Sequence, residues 1–182
     1  PFMLLWAQNT TRYLGFADCY PVIDRQTFQS KFPRRYQQTM QDTVVMAGMS
    51  KQLEATVAPT GVLCGKSAVL IQPNEGICPY ALTTLLNSKA YSNLYRGIFG
   101  MRAMSPQALN IGPREVEQLP IPDPVYLESF SGLVKEGMDI GKASTIHTRL
   151  SFLGKILHQY PESAYLDLVD PLVREMMNPP NT

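Results

Sequence analysis

Residues 43–71, TVVMAGMSKQLEATVAPTGVLCGKSAVLI, decide the fold of this chain. Two compact runs of apolar and β-branched residues, Thr43–Ala47 and Ala68–Ile71, are bounded by glycine or proline turn residues, and residues 53–57 alternate between apolar and polar. Short apolar runs and period-two alternation between turn signals are typical of β-strands. The stretch therefore predicts a small, partly antiparallel sheet.

The sequence on either side adds strands and helices. Residues 2–7 and 12–17 are aromatic and apolar enough for strands, and a short helix is expected to end near Phe32 and Pro33. After Pro79, apolar residues recur at spacings of three and four, which predicts one long helix. These residues are Leu82, Leu85, Leu86, Ala90, Leu94 and Ile98.

The last sixty residues predict three amphipathic helices. One apolar stripe begins at Leu127, a second comprises Ile146, Leu150, Leu153 and Leu157, and a third covers residues 166–176, where Asp170 could cap a helix that restarts at Pro171. We therefore predict an α+β fold: a curved mixed sheet with a long helix, followed by a C-terminal helical segment. Residues 1–122 form the first expected domain, and residues 123–182 pack on it or on a partner.

Composition restricts the class of protein. The chain has 182 residues, 45% of them apolar and 17% charged, which is typical of a globular domain rather than a disordered chain. No apolar run approaches the roughly 18 residues of a transmembrane helix, and no basic leader precedes the apolar start. Because the chain begins with Pro1, we expect a piece of a longer protein. Three cysteines at unhelpful spacings favour a reduced, cytoplasmic protein.

Two motifs that resemble catalytic loops do not fit their families. In Gly61-Val62-Leu63-Cys64-Gly65-Lys66-Ser67, three residues rather than four precede the Gly-Lys-Ser of a phosphate-binding loop, and a strand rather than a helix is predicted after it. Residues 178–181, NPPN, lack the aromatic residue with which amino-methyltransferases stack a flipped base. The histidines and cysteines have no metal-ligand spacing. We expect no catalytic residue, metal site or cofactor in this chain.

The distribution of charge points to a polyanion. Residues 1–122 carry eleven Lys and Arg against seven Asp and Glu, whereas residues 123–182 carry five against eight. Cations on loops and element ends are suited to contact with phosphate, and arginine can also bind guanine. Any one of them alone fits a solvated surface residue better than a DNA contact, and only the set favours nucleic-acid binding. The candidate DNA-binding residues are Lys31, Arg34, Arg35, Lys51, Lys66 and Arg102, with both arginines after Pro33 expected in a loop.

Several short motifs resemble those of a known family. Leu85-Leu86-Asn87-Ser88-Lys89 on the predicted helix and Leu119-Pro120-Ile121-Pro122 after it match both ends of a recurring pattern. Val44-Val45-Met46-Ala47-Gly48 and Gly65-Lys66-Ser67-Ala68 match the strand region that precedes it. Over residues 40–135 the chain resembles the target-recognition domains, or C-terminal specificity domains, of Taq I-like adenine-N6 DNA methyltransferases and restriction–modification enzymes. Specificity subunits of type I restriction enzymes are similar over residues 80–135.

The resemblance implies a function in DNA recognition. A target-recognition domain binds double-stranded DNA for a catalytic methyltransferase domain of the same parent chain or subunit, and that catalytic domain would hold S-adenosylmethionine. On this basis the fragment itself is not an enzyme, and its parent methylates adenine in a bacterium or archaeon. We expect Asn87 and Ser88 to fix the helix end or a neighbouring loop rather than to contact DNA. The alternative is a non-catalytic assembly module that docks a partner through the C-terminal helices.

Overall fold

The computed structural model describes residues 2–5, 12–13, 20–58, 60–100, 108–121, 146–159 and 164–177. The strands are β1 (Phe2–Leu5), β2 (Tyr20–Ile23), β3 (Thr43–Ala47), β4 (Met49–Ser50), β5 (Ala55–Ala58), β6 (Val62–Cys64), β7 (Ala68–Ile71) and β8 (Leu109–Asn110). The α-helices are α1 (Arg25–Lys31), α2 (Pro33–Gln38), α3 (Pro79–Leu86), α4 (Lys89–Phe99), α5 (Pro113–Glu117), α6 (Ile146–Gln159) and α7 (Val169–Met177), and a 3-10 helix (Ala164–Leu168) precedes α7. The predicted α+β class is confirmed.

The strands predicted from residues 43–71 form an antiparallel sheet in the order β5-β3-β7. Val45 of the central strand β3 lies opposite Thr56 of β5 and Leu70 of β7. Every residue of β3 is buried, which is why this strand is a continuous run of apolar and β-branched residues rather than an alternating one.

The other described strands form two smaller sheets. β1 pairs antiparallel with β2 and parallel with β6, and β4 pairs antiparallel with β8. Gly48 lies between β3 and β4. A Cβ atom at Gly48 would lie only 2.6 Å from the carbonyl oxygen of Ser67, so the close approach of these two segments requires glycine. The predicted curved sheet is thus divided over three short sheets.

The N-terminal region differs from the prediction in two places. Arg12 and Tyr13, expected in a strand, lie in a turn, and Tyr13 has a positive φ of 59°. Residues 14–17 of that predicted strand lie outside the described residues. The strand β2 was not predicted, because it contains Pro21, which cannot donate a backbone hydrogen bond. β2 is an edge strand, where proline is tolerated.

The predicted long helix is two helices, separated at Asn87 and Ser88. The hydroxyl of Ser88 accepts a hydrogen bond from the backbone N–H of Tyr91 (3.1 Å) and so caps α4. Serine is among the best residues for this position, because its side chain satisfies an N–H group that the helix leaves unpaired. The local cap therefore interrupts an apolar period that continues through both helices.

The C-terminal helices pack against α3. Leu150, Leu153 and Leu157 of α6 are at most 1% exposed and belong to the same hydrophobic core as α3 and the central sheet. Gly154 allows α6 to approach closely, since a Cβ there would lie 2.5 Å from the carbonyl oxygen of Tyr80. Three residues of the predicted stripe on α6, Leu150, Leu153 and Leu157, are therefore buried within this chain, and the side chain of Ile146 lies outside the described residues. The predicted helix that begins at Leu127 lies outside the described residues.

Asp170 caps a different helix from the one expected. Its Oδ1 accepts hydrogen bonds from the backbone N–H groups of Lys89 (2.7 Å) and Ala90 (3.4 Å), at the start of α4. The prediction that Asp170 caps its own helix at Pro171 is wrong, because α7 begins earlier, at Val169. Helix α7 is thereby tied to α4 across about eighty residues of sequence.

Candidate nucleic-acid interface

Helices α1 and α2, residues 25–38, form a surface unit that we call the basic helix pair. It carries four cations and no carboxylate. Asp24 starts α1: its side chain accepts hydrogen bonds from the backbone N–H groups of Thr27 (3.1 Å) and Gln26 (3.0 Å), and these bonds lower the pKa of the carboxyl group, Thr27 contributing most. Pro33 starts α2, where its missing N–H costs nothing.

Contacts between the two helices fix their relative position. Phe28 of α1 is only 5% exposed, and its ring lies against that of Phe32, which joins the two helices. Arg25 reaches from α1 to α2, where its Nε donates to the hydroxyl of Tyr36 (3.2 Å) and its guanidinium lies 5.6 Å from the centre of that ring. Arg25 therefore holds the pair together, although sequence reasoning gave it no role.

Three of the candidate DNA-binding residues lie on this pair. Lys31 is in the last turn of α1, and Arg34 and Arg35 are in α2. The prediction that the two arginines lie in a loop is wrong, because Pro33 begins a helix instead of ending one. All three side chains are exposed. The basic helix pair consequently presents Lys31, Arg34 and Arg35 to solvent on a helical scaffold.

A groove connects this pair to a fourth candidate residue. Arg35 of α2 and Lys66, in the turn between β6 and β7, both line an open groove of about 420 Å³. Gln38 and Gln72 also line it, and the amide of Gln72 is oriented by its hydrogen bond to the side chain of Gln41 (2.8 Å). The described residues that line the groove include no Asp or Glu. We call this feature the cationic groove.

Cys64 lines the cationic groove without offering a nucleophile. Desolvation raises the pKa of its thiol to about 12, despite the opposing charge of Arg35. The reactive species of a cysteine is the thiolate, which is scarce at neutral pH when the pKa is so high. The resemblance of residues 61–67 to a phosphate-binding loop also ends here, because Lys66 lies between two strands and no helix follows it.

The remaining candidates lie elsewhere. Lys51 is exposed in the bend between β4 and β5, and its carbonyl oxygen accepts a hydrogen bond from the side chain of Arg96 on α4. Lys51 does not line the cationic groove. Arg102 lies outside the described residues. Gln38 and Gln72 were missed. The density of glutamine among the cations of residues 25–41 is visible in the sequence and could have pointed to Gln38, but it does not extend to Gln72.

The side chain of Asn87 is used inside the protein. Its Nδ2 donates to the carbonyl oxygen of Ala55 (3.0 Å), and its Oδ1 accepts from the N–H of Ala55 (2.8 Å). Both bonds are made on the outer edge of β5. Asn87 is 1% exposed and Ser88 is fully buried. The expectation that these residues fix a helix end is confirmed for Ser88, which caps α4, whereas the side chain of Asn87 binds strand β5 rather than a loop.

His158 covers the same edge of β5 two residues further along the strand. Its Nε2 accepts a hydrogen bond from the N–H of Val57 (3.0 Å), and its Nδ1 donates to the carbonyl oxygen of Gly154 (2.7 Å). This arrangement requires the neutral imidazole, and burial lowers the pKa of His158 accordingly, the bond to Gly154 acting in the opposite direction. We call Asn87, His158 and the β5 edge that they cover the buried polar junction. Sequence reasoning had assigned His158 no role.

A second concave surface adjoins the cationic groove. This cleft also encloses about 420 Å³, and it is lined mainly by apolar residues of β7, α3 and α5 and by Glu117. It shares Val69, Leu70, Gln72 and Pro113 with the cationic groove. Its composition suits neither phosphate nor base edges as well as that of the groove does.

Within the part of the chain that the structure describes, no cluster of His, Cys, Asp and Glu side chains is suited to a metal ion. In the same residues, no helix has the length and apolar character needed to cross a lipid bilayer. Comparison of the chain with protein-family models and with curated proteins found no match.

Proposed function

We propose that this chain binds double-stranded DNA sequence-specifically, as the target-recognition domain of a bacterial or archaeal adenine-specific DNA methyltransferase or restriction–modification protein. The observation that carries the proposal is the convergence of Arg35 and Lys66 in a groove whose described lining contains no carboxylate. The exposed Lys31 and Arg34 extend this positive surface over the basic helix pair. A surface of this kind attracts a polyanion.

The two residue types of the groove match the two kinds of DNA contact. Lysine and arginine neutralise phosphates and release condensed counterions, which supplies affinity but no sequence information. Arginine can bind the edge of guanine through two hydrogen bonds, and glutamine can do the same with adenine. Gln38 and Gln72, which line the groove with Arg35 and Lys66, are therefore the candidate base-reading residues, and Arg35 is assigned to a phosphate.

In this proposal the chemistry belongs to another part of the parent protein. A catalytic domain that binds S-adenosylmethionine would methylate the adenine, and the present chain would position that domain on its target in the cytoplasm. The alternative proposal, an assembly module, needs an apolar docking surface on the C-terminal helices. It has less support, because Leu150, Leu153 and Leu157 are buried against α3.

Salt dependence of binding tests the proposal. About five phosphate contacts would give a slope near −4.5 in a plot of log K against log salt concentration for a random duplex. The double substitution Arg34→Ala/Arg35→Ala should weaken binding and make the slope shallower by about 1.8, or about 0.9 per lost contact. Fluorescence anisotropy at several salt concentrations measures both quantities.

Lys155→Ala/Arg174→Ala is the matched control, because it removes the same charge from exposed positions of α6 and α7. The control should leave the slope unchanged. Absence of duplex binding at low salt, or an affinity independent of salt, would overturn the proposal. An equal effect of the two double variants would show that net charge, rather than the basic helix pair, governs binding.

A further inference from the structure

Phe32 occupies the junction of the basic helix pair with its side chain exposed. It is the C-cap residue of α1 and the N-cap residue of α2, and 48% of the residue is accessible to solvent. Lys31 precedes it, and Arg34 follows two residues later. An aromatic ring is thus presented among cations.

The backbone on both sides holds this ring in place. The N–H of Phe32 donates to the carbonyl oxygen of Phe28 (2.8 Å), and the carbonyl oxygen of Phe32 accepts from the N–H of Tyr36 (2.9 Å). The ring also lies against that of the buried Phe28, with centroids 5.5 Å apart and an interplanar angle of 44°. Phe32 is therefore a partly supported ring at a defined position rather than one on a loose loop.

Aromatic rings surrounded by cations are suited to one kind of partner surface. A nucleobase offers a flat π face, and the phosphates on either side of it offer negative charge. Base–aromatic stacking contributes to binding without regard to the identity of the base, and apolar side chains of DNA-bending proteins insert between base steps in the same way.

We infer that Phe32 stacks on an unstacked or unpaired base of the bound DNA, while Lys31 and Arg34 hold the flanking phosphates. This inference rests on the proposed function and adds a non-ionic contact to it. Because unstacking a paired base costs a few kcal/mol, the contact should favour DNA in which one base is already unpaired.

The first experiment separates stacking from charge. Phe32→Ala should reduce affinity for a duplex that contains one unpaired adenine by about 5-fold to 150-fold and leave the salt slope unchanged, because stacking involves no counterion. Phe32→Trp should retain affinity. Ile98→Ala is the matched control, since Ile98 is 49% exposed on α4, and it should bind as the parent does. Thermal melting of each variant checks that the fold is retained.

The second experiment uses a short duplex with one unpaired adenine and the fully paired duplex as probes. The parent protein should bind the first more tightly, and Phe32→Ala should bind both equally. Unchanged affinity in Phe32→Ala, or a preference for the unpaired base that survives this substitution, would overturn the inference while leaving the proposed function intact. If the parent binds neither probe, the proposed function itself fails.

Discussion

The basic helix pair and the buried polar junction use polar side chains in opposite ways. In the helix pair, Lys31, Arg34 and Arg35 are exposed. In the junction, Asn87 and His158 are packed between α3, α6 and β5, and each hydrogen-bonds a specific backbone group. Buried polar groups contribute to stability only when paired, whereas exposed cations cost little and remain available to a ligand. Under the proposed function, the junction maintains the fold and the helix pair serves binding.

The largest expected effect on the free energy of unfolding comes from a substitution in the hydrophobic core. Leu153→Ala should lower the free energy of unfolding by about 2 to 5 kcal/mol, because Leu153 is fully buried and its loss leaves a cavity. Chemical denaturation measures the change. Leu168→Ala, at a position that is 43% exposed, is the control and should change stability by less than about 0.5 kcal/mol. Similar values for the two variants would show that α6 does not pack in this core.

Asn87→Ala tests the junction directly. The substitution leaves the buried N–H of Ala55 without its acceptor, while the Ala55 carbonyl oxygen keeps the N–H of Tyr13 (3.0 Å), so stability should fall by about 1 to 3 kcal/mol. Asn93→Ala, at an exposed position of α4, should change it by less than about 0.5 kcal/mol. DNA binding measured well below the melting temperature should be the same for both variants. Loss of DNA affinity in the folded Asn87→Ala variant would show that the buried polar junction also takes part in binding, and its proposed separation from the basic helix pair would be wrong.

His158 makes the stability of the junction depend on pH. Its pKa is lower in the folded state than the ordinary value of 6.5, so the unfolded state takes up the proton first. The contribution of neutral His158 is therefore complete above pH 6.5 and is lost as the pH falls below it, with a loss of about 1 kcal/mol for the hydrogen bond to Val57.

Denaturation curves at several pH values, compared between the parent and His158→Gln, isolate this contribution from that of other titrating groups. The difference in stability between the two proteins should shrink as the pH falls below 6.5. A difference that stays constant over this range would mean that His158 does not accept the bond from Val57.

The smallest expected effect on stability belongs to the basic helix pair. Arg34→Ala/Arg35→Ala should change the free energy of unfolding by less than about 0.5 kcal/mol, because both side chains are exposed. Thermal melting at low and high salt measures the change. A large loss of stability would show that these arginines maintain the fold, and the proposed division of roles would then be wrong.

Local patterns in the sequence were sufficient for the central sheet and for the buried stripe of α6. The apolar residues of strand β3 and the leucines of α6 are enough to predict that both are buried. Helix α2 was not predicted, because Pro33-Arg34-Arg35-Tyr36 has no apolar period and its position depends on Arg25. β2 was missed because Pro21 argues against a strand except at an edge.

The interactions of the candidate site and the junction are the least predictable from sequence. Gln72 and Arg35 meet in one groove only because of the sheet topology. Aspartate commonly caps the helix that begins next to it, yet Asp170 accepts hydrogen bonds from N–H groups about eighty residues away. Tertiary packing determines such pairings. No short-range pattern in the sequence predicts them.

The buried polar junction also has a consequence for synthesis, because its two parts leave the ribosome at different times. Val57 and His158 are 101 residues apart, so at synthesis rates of about 5 to 20 residues per second, β5 leaves the ribosome roughly 5 to 20 s before the imidazole that covers its edge. During this interval the exposed N–H groups of the strand can pair with another nascent chain. We therefore expect slow or interrupted translation between these two residues to increase aggregation of the newly made chain.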